Sequence, residues 1–243
     1  MRWTYAEGFV GSRRLHARQA LAEKGVSFVL RMVVLLSTYP LWKLFYKLFP
    51  RTFTFQSRTY SYFVHEYNLT WSNERGVEIP IVQALVASHR GKRILEVGNV
   101  LSHYFAIDHE VLDKFERGWP VINQDVVAFR PAARYDLIVS ISSLEHVGWD
   151  EGPRDPTKVL RAIENLRGLL AAGGQLVVTL PVGYNPDLDA LLEAGAIPFC
   201  RRHCLRRRGR SVWVEAEWEE VRRAGYAATW PGASGLVIGV IER

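Results

Sequence analysis

From residue 92 onward the sequence repeats one pattern: an apolar run, a polar loop and an amphipathic helical segment. In the segment 157–170, apolar side chains recur at the spacing of one helix face. Alternating strands and helices predict a mostly parallel sheet covered by helices on both faces. A hairpin near the end would give this sheet an antiparallel edge. The predicted strands are residues 93–97, 110–113, 121–124, 135–140, 174–180, the hairpin 205–216, and 236–242.

The first seventy residues differ from the rest, and we expect a helical and aromatic extension there, followed by the α/β domain over 71–243. Residues 26–36 are strongly apolar, but they are too few for the ~20 residues that a bilayer span needs. The next segment, LWKLFYKLF, places leucine and phenylalanine on one helical face and Lys43 and Lys47 on the other. Two roles fit: membrane-surface contact over 26–49, or a cap that covers a site or pairs two subunits in a homodimer.

Acidic side chains lie at or just after the ends of three successive predicted strands. Glu96 and Gly98 close the first strand, Asp113 or Glu116 follows the second, and Asp125 follows the third. Ligands of open parallel sheets bind at the carboxyl ends of the strands, and a carboxylate accepts two hydroxyl groups at once. These positions therefore predict a binding site, although each acid alone would also serve as a helix cap.

In this order and spacing, the motifs resemble those of the class I S-adenosylmethionine-dependent methyltransferases. They are ILEVGN at 94–99, INQDV at 122–126, YDLIVS at 135–140 and GGQLVVTLP at 173–181. The resemblance covers roughly 71–181 and the closing strand. It implies a Rossmann-like α/β fold with a seven-stranded, mostly parallel sheet, S-adenosylmethionine as cofactor and S-adenosylhomocysteine as product. The chain departs from the family by having one glycine, Gly98, where two or three are usual.

The resemblance also assigns parts of the cofactor to residues. The turn around Glu96 would meet its amino acid end, Asp113 the ribose hydroxyls and Asp125 the adenine amino group. Arg75 would hold the methionine carboxylate through a bidentate contact, unless it pairs with an acid on its own helix, such as Glu78. The predicted cofactor-binding residues are Glu96, Gly98, Asn99, Asp113, Asp125, Val126, Ser140, Ser142 and Arg75.

Candidates for the catalytic groups follow the fourth strand. His146 suits a general base, because its ordinary pKa lies near neutral pH. The alternative is that His146 only packs beside the cofactor, as a histidine at this position often does in related methyltransferases. Asp150 and Glu151 on the next loop complete the predicted catalytic set.

Two loops carry the residues that we predict to bind the acceptor, namely Trp149, Asp155, Tyr184 and Asn185. The first loop reads equally as a helix entry, with Asp155 as the cap before a proline. No metal site is predicted, but the carboxylates Asp150, Glu151 and Asp155 would suit a divalent cation if one is used.

We expect O-methylation of a sugar, a glycan precursor or a natural-product hydroxyl, and a lipid-linked acceptor would explain the apolar extension. The net charge of +6 and the arginines within 201–210 raise a second possibility, an RNA methyltransferase. The run Ser140-Ile141-Ser142-Ser143 lacks a base-clamping Asn-Pro-Pro-aromatic motif, so we do not expect nucleic acid as the partner. A third possibility is a non-catalytic, membrane-associated protein on the same fold.

Cysteine usage and the start of the chain bear on location. Two cysteines are too few for a disulfide framework and indicate a reducing compartment. Residues Met1 to Arg18 lack the apolar core of a secretory signal. We therefore expect a cytoplasmic protein, peripheral at the inner membrane face if the extension meets lipid.

Overall fold

The computed structural model describes residues 26–118, 121–209, 212–226 and 232–243, so Met1 to Arg18 and Arg210 lie outside the described residues. The helices are α1 (Val26–Leu48), α2 (Arg75–Ser88), α3 (Lys158–Gly168), α4 (Pro186–Glu193) and α5 (Trp218–Val221). The strands are β1 (Thr52–Phe55), β2 (Arg58–Ser61), β3 (Ile94–Val97), β4 (Glu110–Leu112), β5 (Val121–Ile122), β6 (Tyr135–Ile141), β7 (Leu170–Pro181), β8 (Arg201–Arg208), β9 (Val212–Ala216) and β10 (Gly235–Glu242). Short 3-10 turns occupy Tyr67–Ser72, Leu101–His103 and Leu144–His146.

The main sheet has eight strands in the order β5-β4-β3-β6-β7-β10-β8-β9. The first five of these are mutually parallel, and β10 lies between β7 and β8, antiparallel to both. The predicted α/β class with a mostly parallel sheet and an antiparallel edge is confirmed. The sheet has eight strands rather than seven because both arms of the predicted hairpin, β8 and β9, join it.

The strand order reverses between β3 and β6. From β3 the chain adds β4 and β5 on one side, then returns to place β6 on the other side. At such a reversal the loops after the two central strands diverge, which leaves a crevice at the carboxyl ends of the strands. The sequence motifs that follow β3, β4, β5 and β6 all meet there.

Helices and a hairpin cover the two faces of the sheet. One face packs on α3, whose Ile163 and Leu166 are at most 1% exposed. The other face packs on α2 and on the β1–β2 hairpin, which contributes Phe53 and Phe55. Complete burial of a side chain of this size stabilises a fold by about 1.5–3 kcal/mol, so the hairpin of the extension belongs to the same core as the sheet.

In the described part of the extension, one continuous helix of 23 residues contains Pro40, rather than two segments separated there. A proline inside a helix removes a backbone hydrogen bond, so packing must compensate. Leu35 before the proline and Tyr46 after it are both buried against Leu69 and Trp71. One buried surface thus holds both halves of α1. Among the described residues, no helix is both long and apolar enough to cross a membrane.

Ser72, just before α2, has a residue type that commonly caps a helix. Ser72 does not cap α2, because its hydroxyl donates to the Leu69 carbonyl oxygen at 2.7 Å inside the 3-10 turn. The helix α2 starts at Arg75, and the preceding Glu74 is buried, accepting the Ala233 backbone N–H at 2.7 Å. The start of α2 is therefore set by the contact between Glu74 and the segment before β10, and not by a Ser72 cap.

Core packing predicts a difference between two leucines. Leu166→Ala, on α3 and fully buried, should lower the free energy of unfolding by about 2–5 kcal/mol, because it removes apolar contacts and leaves a cavity. Leu41→Ala, on α1 and 67% exposed, should change it by less than about 0.5 kcal/mol. Urea unfolding followed by circular dichroism measures both, and equal losses would contradict the described packing of α1.

Candidate functional site

A cavity lies at the carboxyl ends of β3, β4, β5 and β6, where the strand order reverses. Seven of the nine predicted cofactor-binding residues lie on its wall, while Glu96 and Ser140 lie behind it. The predicted residues on the wall are Arg75, Gly98, Asn99, Asp113, Asp125, Val126 and Ser142, joined by His146, Asp150 and Glu151 of the predicted catalytic set.

The turn after β3 explains why glycine is required at position 98. Gly98 has φ +84°, and its N–H donates to the Leu112 carbonyl oxygen of β4 at 2.8 Å. A Cβ at this position would stand 2.1 Å from the Ser143 Oγ. The turn therefore packs against the segment after β6 so closely that a side chain has no room.

Glu96 and Ser140 hold the crevice from behind. The Glu96 carboxylate is fully buried; its Oε1 accepts the backbone N–H groups of Val100 and Leu101, each at 2.8 Å. Its Oε2 lies 2.9 Å from the His109 Nε2. The Ser140 hydroxyl donates to the carbonyl oxygen of the last residue of β3 at 3.0 Å. Both side chains shape the turn rather than face the cavity.

Asp113 directly follows β4 and borders the cavity. Its Oδ1 accepts the backbone N–H groups of Phe115 and Glu116, each at 2.8 Å, and its Oδ2 accepts the Asn99 N–H at 3.2 Å. An ionised carboxylate has about four acceptor positions, so this group can take further hydroxyl donors. The alternative acid, Glu116, pairs instead with His103 at 3.1 Å.

Asp125 and Glu151 belong to a cluster of opposite charges at the rim. Lys114 and Lys158 contact Asp125 Oδ2 at 2.9 and 2.6 Å, and both lysines also bond Glu151. Partial burial raises the pKa of Asp125, but the hydrogen bonds from the lysines outweigh it and hold that pKa at about 2. The same lysines outweigh burial to lower the pKa of Glu151. Glu151 thus stays ionised and is a weak proton acceptor.

Arg75 pairs with Glu78, the alternative partner considered above. Their charged atoms lie 3.3 Å apart, and the guanidinium also donates to the carbonyl oxygens of Ile141 and Ser142 at 2.7 and 3.3 Å. Ser142 itself has φ +38°, and its hydroxyl donates to Glu78 at 2.5 Å. Arg75 lines the cavity while it fixes the backbone at the end of β6.

His146, Asp150 and Tyr184 form one cluster, of which His146 and Asp150 line the cavity. The His146 Nδ1 and the Tyr184 hydroxyl both bond to Asp150 Oδ2, the hydroxyl at 2.6 Å. The Tyr184 ring meets the His146 ring edge-on at 4.7 Å and the Tyr226 ring at 4.9 Å. Of the predicted catalytic and acceptor residues, the structure brings these three together.

Glu145 is a site residue that the sequence reasoning did not select. Its side chain is 2% exposed, and its Oε1 lies 3.6 Å from the His146 Nε2. Its Oε2 has no hydrogen-bond partner within the described part of the chain. Burial raises the pKa of Glu145 to about 7, although His146 opposes this rise. The available signal was an acid directly before the candidate histidine, at the end of a buried strand.

His146 therefore lies between two carboxyl groups. Burial lowers its pKa, but the hydrogen bond to Asp150 and the charge of Glu145 outweigh burial, so the pKa is raised above its ordinary 6.5. An imidazole in this position takes up a proton readily and holds it while the charge is shared with its neighbours. This arrangement can accept a proton from a group in the cavity.

Three predicted acceptor-binding residues lie off the cavity wall and contact other parts of the chain. Asn185 caps α4, accepting the backbone N–H groups of the two residues that follow Pro186, at 3.0 and 3.1 Å. Asp155 accepts the Thr157 N–H at 3.1 Å, as the helix-entry alternative proposed. Trp149 carries the Arg154 guanidinium 3.2 Å above its ring. None of the three lies on the cavity wall as described.

The carboxylates considered for a cation are held by different partners. Asp150 bonds His146 and Tyr184, Glu151 bonds two lysines, and Asp155 faces the entry of α3. Within the described ranges, no three acidic, histidine or cysteine side chains are grouped as metal ligands.

The topology decides the fold family. Five parallel strands, followed by a reversed last strand inserted before the hairpin, form the sheet that the sequence motifs implied. The chain has the Rossmann-like α/β fold that these motifs imply. No family model and no curated protein matches its sequence.

Several solved methyltransferases are similar to this chain at low sequence identity, with TM-scores below 0.5. The N-methyltransferase NodS from Bradyrhizobium japonicum WM9, with S-adenosyl-L-homocysteine, is 16% identical, covers 70% of this chain and 87% of its own, and has a TM-score of 0.46. The 1,6-didemethyltoxoflavin-N1-methyltransferase of Burkholderia thailandensis is 13% identical. The match covers 69% of this chain and 78% of that one, with a TM-score of 0.43. The sugar N-methyltransferase KedS8 from Streptoalloteichus sp ATCC 53650 is 15% identical. The match covers 68% of this chain and 87% of that one, with a TM-score of 0.36.

The contacts of His146 with Asp150 and Glu145 predict how its titration responds to substitution. Asp150→Asn should lower the pKa of His146, because it removes the carboxylate that stabilises the imidazolium. NMR titration of the imidazole carbon-bound protons measures the shift. Glu151→Gln is the matched control and should leave the pKa nearly unchanged, since Glu151 bonds the lysines. An unchanged His146 pKa in Asp150→Asn would contradict the pairing.

Proposed function

We propose that this protein binds S-adenosylmethionine in the cavity after β3, β4, β5 and β6 and methylates a hydroxyl group of a small acceptor. The observation that carries the proposal is the Asp113 carboxylate. It lies at the end of β4, it is oriented by three backbone N–H groups, and it borders the cavity. Such a carboxylate suits the adjacent hydroxyls of a ribose.

The other lining residues fit the remaining parts of the cofactor. Val126 offers an apolar contact to the adenine ring, and Asp125 lies beside it. Gly98, Asn99 and Arg75 also line the cavity; the backbone of the first two would hold the amino acid end of the cofactor, and Arg75 would supply a cation for its carboxylate. When bound, the cofactor supplies an electrophilic methyl group on its sulfonium and leaves as S-adenosylhomocysteine.

On the acceptor side, His146 takes the proton that a hydroxyl loses as it is methylated. Asp150 holds the imidazole through Nδ1, and Glu145 stabilises the imidazolium from the other side. Glu151 is not part of this step in our proposal, because the two lysines keep it ionised. Tyr184 fixes Asp150 through its hydroxyl, and its ring packs edge-on against the His146 ring.

We propose a sugar, a glycan precursor or a natural-product hydroxyl as the acceptor. Carboxylate, phenol and imidazole groups beside aromatic rings suit a polyhydroxylated ring, which needs acceptors for its hydroxyls and apolar contact for its faces. In the same proposal, 1–70 is an extension of a methyltransferase domain over 71–243. The protein acts in the cytoplasm, where Cys200 and Cys204 stay the free thiols that the structure shows.

The arginine cluster gives little support to RNA as the partner. The five described arginines each bond within the chain, which reduces their availability to phosphates. Their partners are Glu242 for Arg201, the Leu192 carbonyl for Arg202, the Glu220 backbone and side chain for Arg206 and Arg208, and the Ser72 carbonyl for Arg207.

Cofactor binding is tested by calorimetric titration with S-adenosylmethionine and S-adenosylhomocysteine. Asp113→Asn should weaken binding by roughly 10- to 150-fold, since a hydrogen bond to a charged group contributes about 1.5–3 kcal/mol. Asp136→Asn is the matched control: Asp136 accepts the Arg93 N–H at 2.9 Å, at the other end of the sheet, and should bind as the wild type does. A folded wild type that binds neither compound would favour the non-catalytic alternative.

The base is tested by the rate of methyl transfer to a panel of sugars, phenols and amines. His146→Gln should lower kcat by about 100-fold or more with cofactor affinity unchanged, whereas His89→Gln, remote from the cavity, should not. The wild-type rate should rise as pH passes through the raised His146 pKa, because only neutral imidazole accepts the proton. Turnover of amines alone would contradict the hydroxyl assignment.

A further inference from the structure

Helix α1 has two apolar faces, and the described part of the chain covers only one of them. Leu35 and Tyr46 pack against Leu69 and Trp71 on one side. On the other side, apolar side chains are between 41% and 67% exposed. At 3.6 residues per turn they fall within one arc of about 120°. They are Val26, Leu30, Val33, Val34, Leu41, Leu44, Phe45 and Leu48, followed after the helix by Phe49.

The polar residue at the centre of this arc does not interrupt it. The Ser37 hydroxyl donates to the Val33 carbonyl oxygen at 2.7 Å, so its hydrogen-bonding capacity is used within the helix. An exposed, continuous apolar strip of this length is the kind of surface that marks a protein or membrane contact. We call the exposed apolar residues of α1 named above, together with Phe49, the apolar strip.

The Asp, Glu, Lys and Arg residues of the segment that carries the apolar strip have one sign of charge. Between residues 26 and 65 the sequence contains no aspartate or glutamate, and it contains the basic residues Arg31, Lys43, Lys47, Arg51 and Arg58. Lys43 and Lys47 are exposed on α1 itself. A second copy of the same surface would bring these like charges together, which opposes pairing. Anionic lipid headgroups complement both the apolar strip and its basic border.

We propose that α1 lies in the plane of an anionic membrane surface, with the apolar strip among the acyl chains and Lys43 and Lys47 at the headgroups. A helix of 23 residues is about 35 Å long. Its opposite face is occupied by the protein's own turn, so the helix lies on the bilayer with the rest of the chain above it.

The same turn connects the helix to the candidate site. Leu69 and Trp71 pack against α1, and Tyr67 and Asn68 of the same turn line the cavity. Membrane docking would therefore hold the cavity within one short turn of the helix that binds lipid. For a methyltransferase this favours a lipid-linked or membrane-bound acceptor; that extension rests on the proposed function, whereas lipid binding by α1 does not.

Flotation of the full chain with vesicles tests the proposal. The wild type should float with vesicles of phosphatidylcholine and phosphatidylglycerol at low salt, and less with phosphatidylcholine alone or at high salt. Leu41→Glu with Leu44→Glu should lower binding at least about tenfold. Lys43→Gln with Lys47→Gln should lower it about fivefold for each lysine. The matched control, Val212→Glu with Val214→Glu, places the same charges on exposed positions of β9 and should bind as the wild type does.

Three outcomes would overturn the proposal: a folded wild type that does not float, equal loss in the Val212 and Val214 control, and binding that depends on neither anionic lipid nor salt. Sedimentation of the same proteins without lipid distinguishes a second copy. A dimer that Leu41→Glu with Leu44→Glu converts to a monomer would assign the apolar strip to self-association. Parallel cofactor titrations keep the two proposals separate, because lipid binding can fail while cofactor binding remains.

Discussion

The cavity depends on a buried carboxylate that does not face it. Glu96 accepts the N–H groups of Val100 and Leu101, so the turn after β3 folds back over the end of its own strand. That turn places the Asn99 N–H against Asp113 and brings Gly98 against the segment after β6. Because a buried charge is costly unless its bonds are made, the carboxylate and the turn must form together.

Two groups of charged side chains beside the cavity differ in how they hold protons. In the first group, Lys114 and Lys158 neutralise Asp125 and Glu151 and hold both acids ionised. In the second group, Glu145 is buried next to His146, and burial raises the pKa of Glu145. The first group is fixed in one protonation state. The second titrates near neutral pH, which is where proton transfer during catalysis is efficient.

The extension is more closely tied to the sheet than its composition implied. Phe53 and Phe55 enter the core of the sheet, and Leu35 and Tyr46 cover the turn that borders the cavity. Helix α1 therefore connects the cavity wall with an exposed apolar surface. From the sequence, a cap over the site and a membrane contact were separate alternatives for this segment. In the described residues, one face of α1 packs on the turn that contains Leu69 and Trp71, and its other face is exposed.

The sequence alone determined the α/β order, the sheet with its antiparallel edge, and the acids after β3, β4 and β5, because these depend on local periodicity and on adjacency along the chain. It also indicated His146 and Asp150, which lie four residues apart. Only the tertiary structure decided the roles that depend on long-range contacts. Glu96 bonds the turn after β3 rather than facing the cavity, and Asn185 caps a helix. Lys114 and Lys158 form ion pairs with Glu151. Burial from several elements, rather than a motif, gives Glu145 its raised pKa.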